Sequence, residues 1–98
     1  MDWRGLLCER IIFLMFYVYL LANKRRDIYV GFTADLRQRF CDHNCGRVES
    51  TKKRRSWKLA YYEAYVTEID ARLREKTLKN YGSTLGQLKK RIRASINF

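Results

Sequence analysis

Residues 16–32 read Phe-Tyr-Val-Tyr-Leu-Leu-Ala-Asn-Lys-Arg-Arg-Asp-Ile-Tyr-Val-Gly-Phe. Phe16 to Leu21 is aromatic and aliphatic throughout, which predicts a strand buried on both faces. Ala22 to Asp27 is polar and basic, as a hairpin loop would be. Ile28-Tyr-Val-Gly-Phe32 is again rich in residues that fit a pleated surface and predicts a second strand. If Leu21 pairs with Asp27 across that loop, Tyr19 falls opposite Tyr29, and residues so paired project from one face of the sheet. The hairpin thus predicts two phenol rings side by side.

Downstream, Asp35 is placed to cap a helix, with Gln38 as its capping-box partner, and the helix is expected to reach about Asn44 before Cys45-Gly46 ends it. Residues 47 to 57 carry Lys52-Lys-Arg-Arg55 and read as an exposed basic loop. Trp57 to Val66 returns to strand character, with Leu59, Tyr61, Glu63 and Tyr65 on one face and Ala60, Tyr62, Ala64 and Val66 on the other. Thr67-Glu-Ile-Asp70 is a capping box for a second helix over about Ile69 to Lys79. Gly82 is expected to stop it, and Ser83 or Thr84 to cap a third helix with Leu85, Leu88 and Ile92 at core spacing. The order β-β-α-β-α-α predicts an α+β fold, a small three-stranded antiparallel sheet flanked by helices.

Composition bounds the function. Ninety-eight residues suit one domain, and the 47% apolar content argues for a folded core. Twenty-one Lys and Arg against ten acidic residues give a net charge of +11, an excess that points to an anionic partner: nucleic acid first, an acidic membrane surface second. The apolar run Ile11 to Ala22 falls short of the ~20 residues a bilayer span needs. A basic stretch follows it and no small-x-small cleavage site is visible, which disfavours a secretory leader. Cys8, Cys41 and Cys45 suggest no disulfide framework, and a cytoplasmic location is expected. Cys41, His43 and Cys45 invite a zinc reading, but on a helix His43 points roughly 200° away from Cys41, which counts against it. Asp2, Arg4, Glu9 and Arg10 cancel, so the whole positive excess lies in residues 15–98. Residues 1–14 are therefore expected to be an upstream extension, with Met15 the native start of the single domain 15–98.

Tyr17-Val18-Tyr19 stands before Tyr29-Val30-Gly31 with ten residues from Tyr19 to Tyr29, and Arg39 follows ten residues later. His43 and Asn44 complete an Arg-x-x-x-His-Asn pattern, and Arg74-Glu75-Lys76 sets a glutamate on the later helix. In this order of parts, residues 15–94 resemble the GIY-YIG nucleases, and Tyr-Val-Gly-Phe-Thr-Ala-Asp-Leu with Ser50-Thr51-Lys52-x-Arg54-Arg55 is similar to their small stand-alone bacterial branch. One departure is that Tyr17 occupies the first glycine position of the GIY motif.

The resemblance implies a metal-dependent DNA endonuclease that uses one Mg²⁺ or Mn²⁺ held by Glu75. Arg39 would bind the scissile phosphate, Tyr19 would act as or serve the general base, Tyr29 would orient water or phosphate, and His43 would assist. Those residue types suit phosphodiester hydrolysis. The attacking water must lose a proton, the developing charge must be neutralised, and an arginine fork matches phosphate oxygens. Tyrosine ordinarily titrates near pH 10, so Tyr19 is expected to need help from neighbouring cations. Lys52, Lys53, Arg54, Arg55 and Lys79 are the candidate nucleic-acid contacts. Taken singly, Glu75 is also an ordinary i,i+4 partner for Lys79. The expected substrate is DNA in repair or recombination, with RNA left open; a monomer is expected, with weak dimerisation through the first strand as the variant. The alternative is a non-catalytic nucleic-acid-binding module of the same fold.

Overall fold

The computed structural model describes residues 15–54 and 56–98. The expectations on residues 1–14, and on the side chains of Arg54 and Arg55, lie outside the described residues. Phe16–Ala22 (β1) pairs antiparallel with Ile28–Thr33 (β2) on one side and with Lys58–Tyr65 (β3) on the other, giving the order β2-β1-β3. Leu36–Asn44 (α1) and a short turn of 3-10 helix at Lys52–Arg54 connect β2 to β3. Glu68–Asn80 (α2), Gly82–Arg91 (α3) and Arg93–Ile96 (α4) complete the chain. This is the predicted α+β architecture, with one short helix added at the end.

The central place of β1 explains its unbroken apolar run. Val18 and Leu20 face a core closed by Val30, Ala71, Leu78 and Leu88, while Tyr19 and Leu21 face a second cluster with Trp57, Leu36, Phe40 and Leu59. Burying each such side chain stabilises the fold by roughly 1.5–3 kcal/mol. Alternate residues of one strand therefore feed two different interiors.

Three details differ from the sequence pattern. The hairpin closes at Ala22 and Ile28, so Tyr19 stands opposite Gly31 and Tyr29 opposite Leu21. The cause is Asn23, whose Oδ1 accepts from the backbone N–H groups of Arg25 (3.1 Å) and Asp27 (2.9 Å), drawing both residues into the loop. Arg26 takes a left-handed conformation there (φ 68°). The register moves by two residues, which is the side-chain period of a strand, so both tyrosines still project from one face.

In β3, an irregularity opposite Leu20 and Leu21 puts an extra residue into the ladder. Leu59 pairs with Leu21 whereas Tyr61 pairs with Leu20, so Leu59 turns to the face opposite Tyr61 instead of sharing it. That is what a bulge does to alternation. Finally, Gly82 does not stop a helix: it opens α3. The break comes from Tyr81, whose extended backbone (φ −120°, ψ 97°) ends α2 and whose carbonyl accepts from the N–H groups of Thr84 and Leu85. No side chain caps α3, and Ser83 and Thr84 lie inside its first turn.

Candidate active site

The site is built from the middle of β1 outwards. The Tyr19 side chain is 1% exposed and lies across β2 over Gly31. A Cβ on Gly31 would overlap the Tyr19 hydroxyl and ring, reaching 2.8 Å from Cε1. The glycine is needed here for close approach, so that the phenol can reach over the neighbouring strand.

Helix α1 brings the next two groups. Asp35 caps it by accepting from the Gln38 N–H at 3.1 Å. The return half of the expected capping box is absent, because the Gln38 amide donates to Asp42 at 2.9 Å and Thr33 Oγ1 takes the Asp35 N–H at 3.0 Å. Arg39 and His43 lie one turn apart on the helix and both reach Tyr19. The Tyr19 hydroxyl lies 2.7 Å from His43 Nε2, and Arg39 Nε donates to the Tyr19 hydroxyl at 3.4 Å. The other imidazole nitrogen, Nδ1, lies 2.7 Å from Thr51 Oγ1. Tyr29 packs edge-on against His43 with ring centroids 4.7 Å apart, and 6.2 Å from Tyr19. Asn44 anchors the end of the helix, taking the Trp57 N–H at 2.8 Å and donating to the Trp57 carbonyl at 3.1 Å.

Burial controls the protonation of this cluster. The imidazole is fully buried, and burial, then the positive charge of Arg39, push its pKa down to about 4. It is therefore neutral at pH 7. Burial pushes the Tyr19 phenol up to about 12; the Arg39 bond opposes this, while the neighbouring Tyr29 and the Glu75 carboxylate add to it. The cationic help expected for Tyr19 is present in Arg39, but desolvation outweighs it.

Glu75 sits in the sheet-facing stripe of α2, between Ala71 and Leu78, where the helical period calls for an apolar residue. It pairs with Lys79 at 3.0 Å, as its i,i+4 spacing allows, and Lys79 Nζ lies 5.8 Å from the centroid of the Tyr29 ring. Among the described residues no three His, Cys, Asp or Glu side chains cluster as a metal cage. A lone carboxylate within electrostatic reach of the Tyr19 phenol is a hard oxygen donor. It suits a magnesium-like ion, which is usually held by one or two carboxylates together with waters and substrate phosphates. It does not suit structural zinc, which needs four protein ligands. The exposed Lys79 partner holds Glu75 by no more than about 1 kcal/mol, too little to keep a divalent ion away.

The structure thus gathers Tyr19, Tyr29, Arg39 and His43, and sets Glu75 and Lys79 within electrostatic reach. In the basic loop that follows Thr51, Lys52 pairs with Glu49 at 3.0 Å and Lys53 is exposed. Cys41 and Cys45 are exposed while His43 is turned inward to Tyr19 and Thr51. The parts played by three residues, Thr51, Gly31 and Tyr62, were not visible in the sequence. Thr51 and Gly31 carry no catalytic chemistry of their own. Tyr62, 53% exposed beside Tyr17 with centroids 5.9 Å apart, reaches the tyrosine face through the register, opposite Tyr19. Tyr17, at the motif's first glycine position, is accommodated by that edge-to-face contact.

The chain is thus a three-stranded α+β domain with paired tyrosines and a helix arginine on one sheet face and a carboxylate within electrostatic reach of them. Comparison with known proteins makes this specific: residues 15–87 match the GIY-YIG catalytic domain, and the chain belongs to that family. A UPF0213 protein of Staphylococcus haemolyticus is 33% identical over 66 residues, covering 66% of this chain and 80% of the relative. A second, from Haloquadratum walsbyi, is 32% identical over 66 residues, covering 66% of this chain and 74% of its own. A third, encoded beside ldhD in Pediococcus acidilactici, is 37% identical over 59 residues, covering 57% of this chain and 60% of its own. No solved structure matches the chain. Among the described residues no helix is long and apolar enough to cross a membrane.

Proposed function

We propose that this protein is a divalent-metal-dependent endonuclease that hydrolyses phosphodiester bonds in DNA. The observation that carries the reading is the contact of a buried tyrosine hydroxyl with both a neutral imidazole (2.7 Å) and a guanidinium (3.4 Å) in one site. A phenol with a pKa pushed up to about 12 is a poor free base. It becomes an effective one if, as it takes a proton from water, its own proton passes to His43, which is in contact and whose low proton affinity the negative charge of a bound phosphate raises. Arg39, half-buried beside Tyr19, presents the remainder of its guanidinium fork to a phosphate oxygen. Tyr29, packed against His43, holds the orientation of water or phosphate at the edge of the site. Glu75 would hold the Mg²⁺ or Mn²⁺ ion, whose contribution is to stabilise the leaving oxygen and the charge on the phosphate.

The charge of +11 supports a polyanionic substrate, and Lys52, Lys53, Arg54, Arg55 and Lys79 are the proposed backbone contacts. Such contacts position DNA without reading its sequence, so selection by DNA structure, in repair or recombination, fits this small domain. A monomeric, cytoplasmic enzyme is the working form. The test is incubation with labelled duplex, single-stranded, flap and four-way-junction DNA, with and without Mg²⁺ or Mn²⁺, beside Tyr19→Phe. The expected result is metal-dependent cleavage, lowered about a hundredfold in the variant. Tight binding with no cleavage of any substrate would replace the enzyme by a nucleic-acid-binding module.

A further inference from the structure

We infer that Thr51 is a positioning residue that locks His43 in its Nδ1–H tautomer, leaving Nε2 as the one nitrogen able to take the Tyr19 proton. Its catalytic consequence rests on the function proposed above; the tautomer itself does not.

The inference follows from counting protons along a buried chain of contacts. Arg39 Nε meets the Tyr19 hydroxyl at 3.4 Å, that hydroxyl meets His43 Nε2 at 2.7 Å, His43 Nδ1 meets Thr51 Oγ1 at 2.7 Å, and Thr51 Oγ1 meets the Val48 carbonyl at 3.5 Å. A guanidinium only donates and a carbonyl only accepts. Between these ends stand three groups with one proton each: a phenol, a neutral imidazole and a hydroxyl. Only one arrangement makes all four bonds. Arg39 donates to Tyr19, Tyr19 to Nε2, Nδ1–H to Thr51, and Thr51 to Val48. Reversing the middle of the chain would use the Thr51 proton on Nδ1, so that the hydroxyl no longer donates to Val48. It would also leave the Tyr19 proton without its imidazole acceptor in a site where Tyr19 is 1% exposed. A buried polar proton without a partner costs roughly 1–3 kcal/mol, enough to decide between tautomers.

Thr51 is held firmly enough to impose this choice. Its own N–H donates to the Val48 carbonyl at 3.1 Å, its carbonyl takes the Trp57 indole N–H at 3.4 Å, and the residue is fully buried. Water therefore has no room to stand in for the hydroxyl. Thr51 stands in the Ser50-Thr51-Lys52-x-Arg54-Arg55 stretch, but nothing in that stretch pairs it with His43.

The chain contains a single histidine, so long-range ¹H–¹⁵N correlation of the imidazole reports its tautomer without assignment ambiguity. The wild type is expected to show a protonated Nδ1 and an unprotonated, accepting Nε2. Thr51→Val, which removes the hydroxyl, is expected to give mixed tautomers or Nε2–H, with cleavage lowered about tenfold. Thr51→Ser is expected to restore both. A wild-type spectrum with Nε2–H overturns the inference, and so does a Thr51→Val protein that keeps the wild-type tautomer. Should Thr51→Val fail to fold, the wild-type and Thr51→Ser spectra still decide, since Nδ1–H in both supports the assignment and Nε2–H in either overturns it. Absence of cleavage in every variant would count against the nuclease alone, with the spectra still deciding the tautomer.

Discussion

Glu63 and Glu75 are almost equally sheltered, at 16% and 18% side-chain exposure, yet their surroundings differ completely. Glu63 receives the Arg74 fork through three contacts of 3.0–3.2 Å, the Tyr61 hydroxyl at 2.8 Å and the Tyr65 hydroxyl. Burial alone would raise its pKa, but the bonds from Arg74, Tyr65 and Tyr61 outweigh that and hold the carboxyl below its ordinary range. Both oxygens are occupied, so Glu63 braces β3 against α2. Among the described residues Glu75 has one ion pair, to an exposed lysine. Arg74 and Glu75 are adjacent on α2: Arg74 reaches the Glu63 brace, whereas Glu75 pairs with Lys79 and lies within electrostatic reach of Tyr19. Exposure therefore does not distinguish the two carboxylates; the number of donors each accepts from among the described residues does.

The sharpest way to break that contrast is to remove each carboxylate in turn. Glu75→Ala is expected to lower cleavage at least a hundredfold or so, from lost charge stabilisation. Its stability, measured by urea unfolding, should change by only about 0.5 kcal/mol, as for an i,i+4 helical ion pair. Glu63→Gln should do the reverse, with cleavage within about twofold and stability lower by roughly 2 kcal/mol, because charge-assisted bonds weaken. Equal effects on cleavage would dissolve the distinction. Gly31→Ala sits between these cases: the added methyl displaces the Tyr19 ring, so cleavage should fall about a hundredfold, with a loss of ~1–3 kcal/mol from overpacking.

Two smaller effects appear in pH dependence. Glu63 has a folded pKa below its ordinary 4.5, so its contribution to stability is present above that value and is lost as pH falls through the folded one. Unfolding curves of Glu63→Gln should lack this acid-side slope. His43 is lowered from 6.5 to about 4. As pH falls below 6.5 the unfolded chain takes up a proton that the folded site refuses, and stability declines until about pH 4. Because the folded imidazole stays neutral across that window, cleavage should show no acid break near pH 6.5. A break there, traced to His43, would mean that the imidazole is far less buried in solution.

Much of this was legible in the residues themselves. The apolar run of β1 marked a central strand, Asp35 and Thr67 marked helix starts, and the resemblance carried by Tyr19, Tyr29, Arg39, His43 and Glu75 pointed to the candidate site. Pattern reading went astray where a side chain or a backbone kink reset the count. Asn23 moved the hairpin register by two, the bulge in β3 turned Leu59 over, and extended Tyr81, not Gly82, divided the last long helices. Parity rescued the pairing of the tyrosines, since a two-residue slip keeps the face. Gly31 and Thr51 stand in stretches that carry the resemblance, but what each does there was illegible for another reason. Their roles depend on what stands opposite them in space, a phenol ring and an imidazole nitrogen, and no local pattern encodes that.

The most direct test is supercoiled plasmid nicking by the wild type and Glu75→Ala side by side, in Mg²⁺, in Mn²⁺ and in chelator, with DNA binding measured on the same preparations. The expected result is metal-dependent nicking by the wild type and its loss in the variant, with DNA binding retained in both. Nicking by Glu75→Ala at the wild-type rate, or firm binding by the wild type with no nicking in either metal, would contradict the proposed nuclease site.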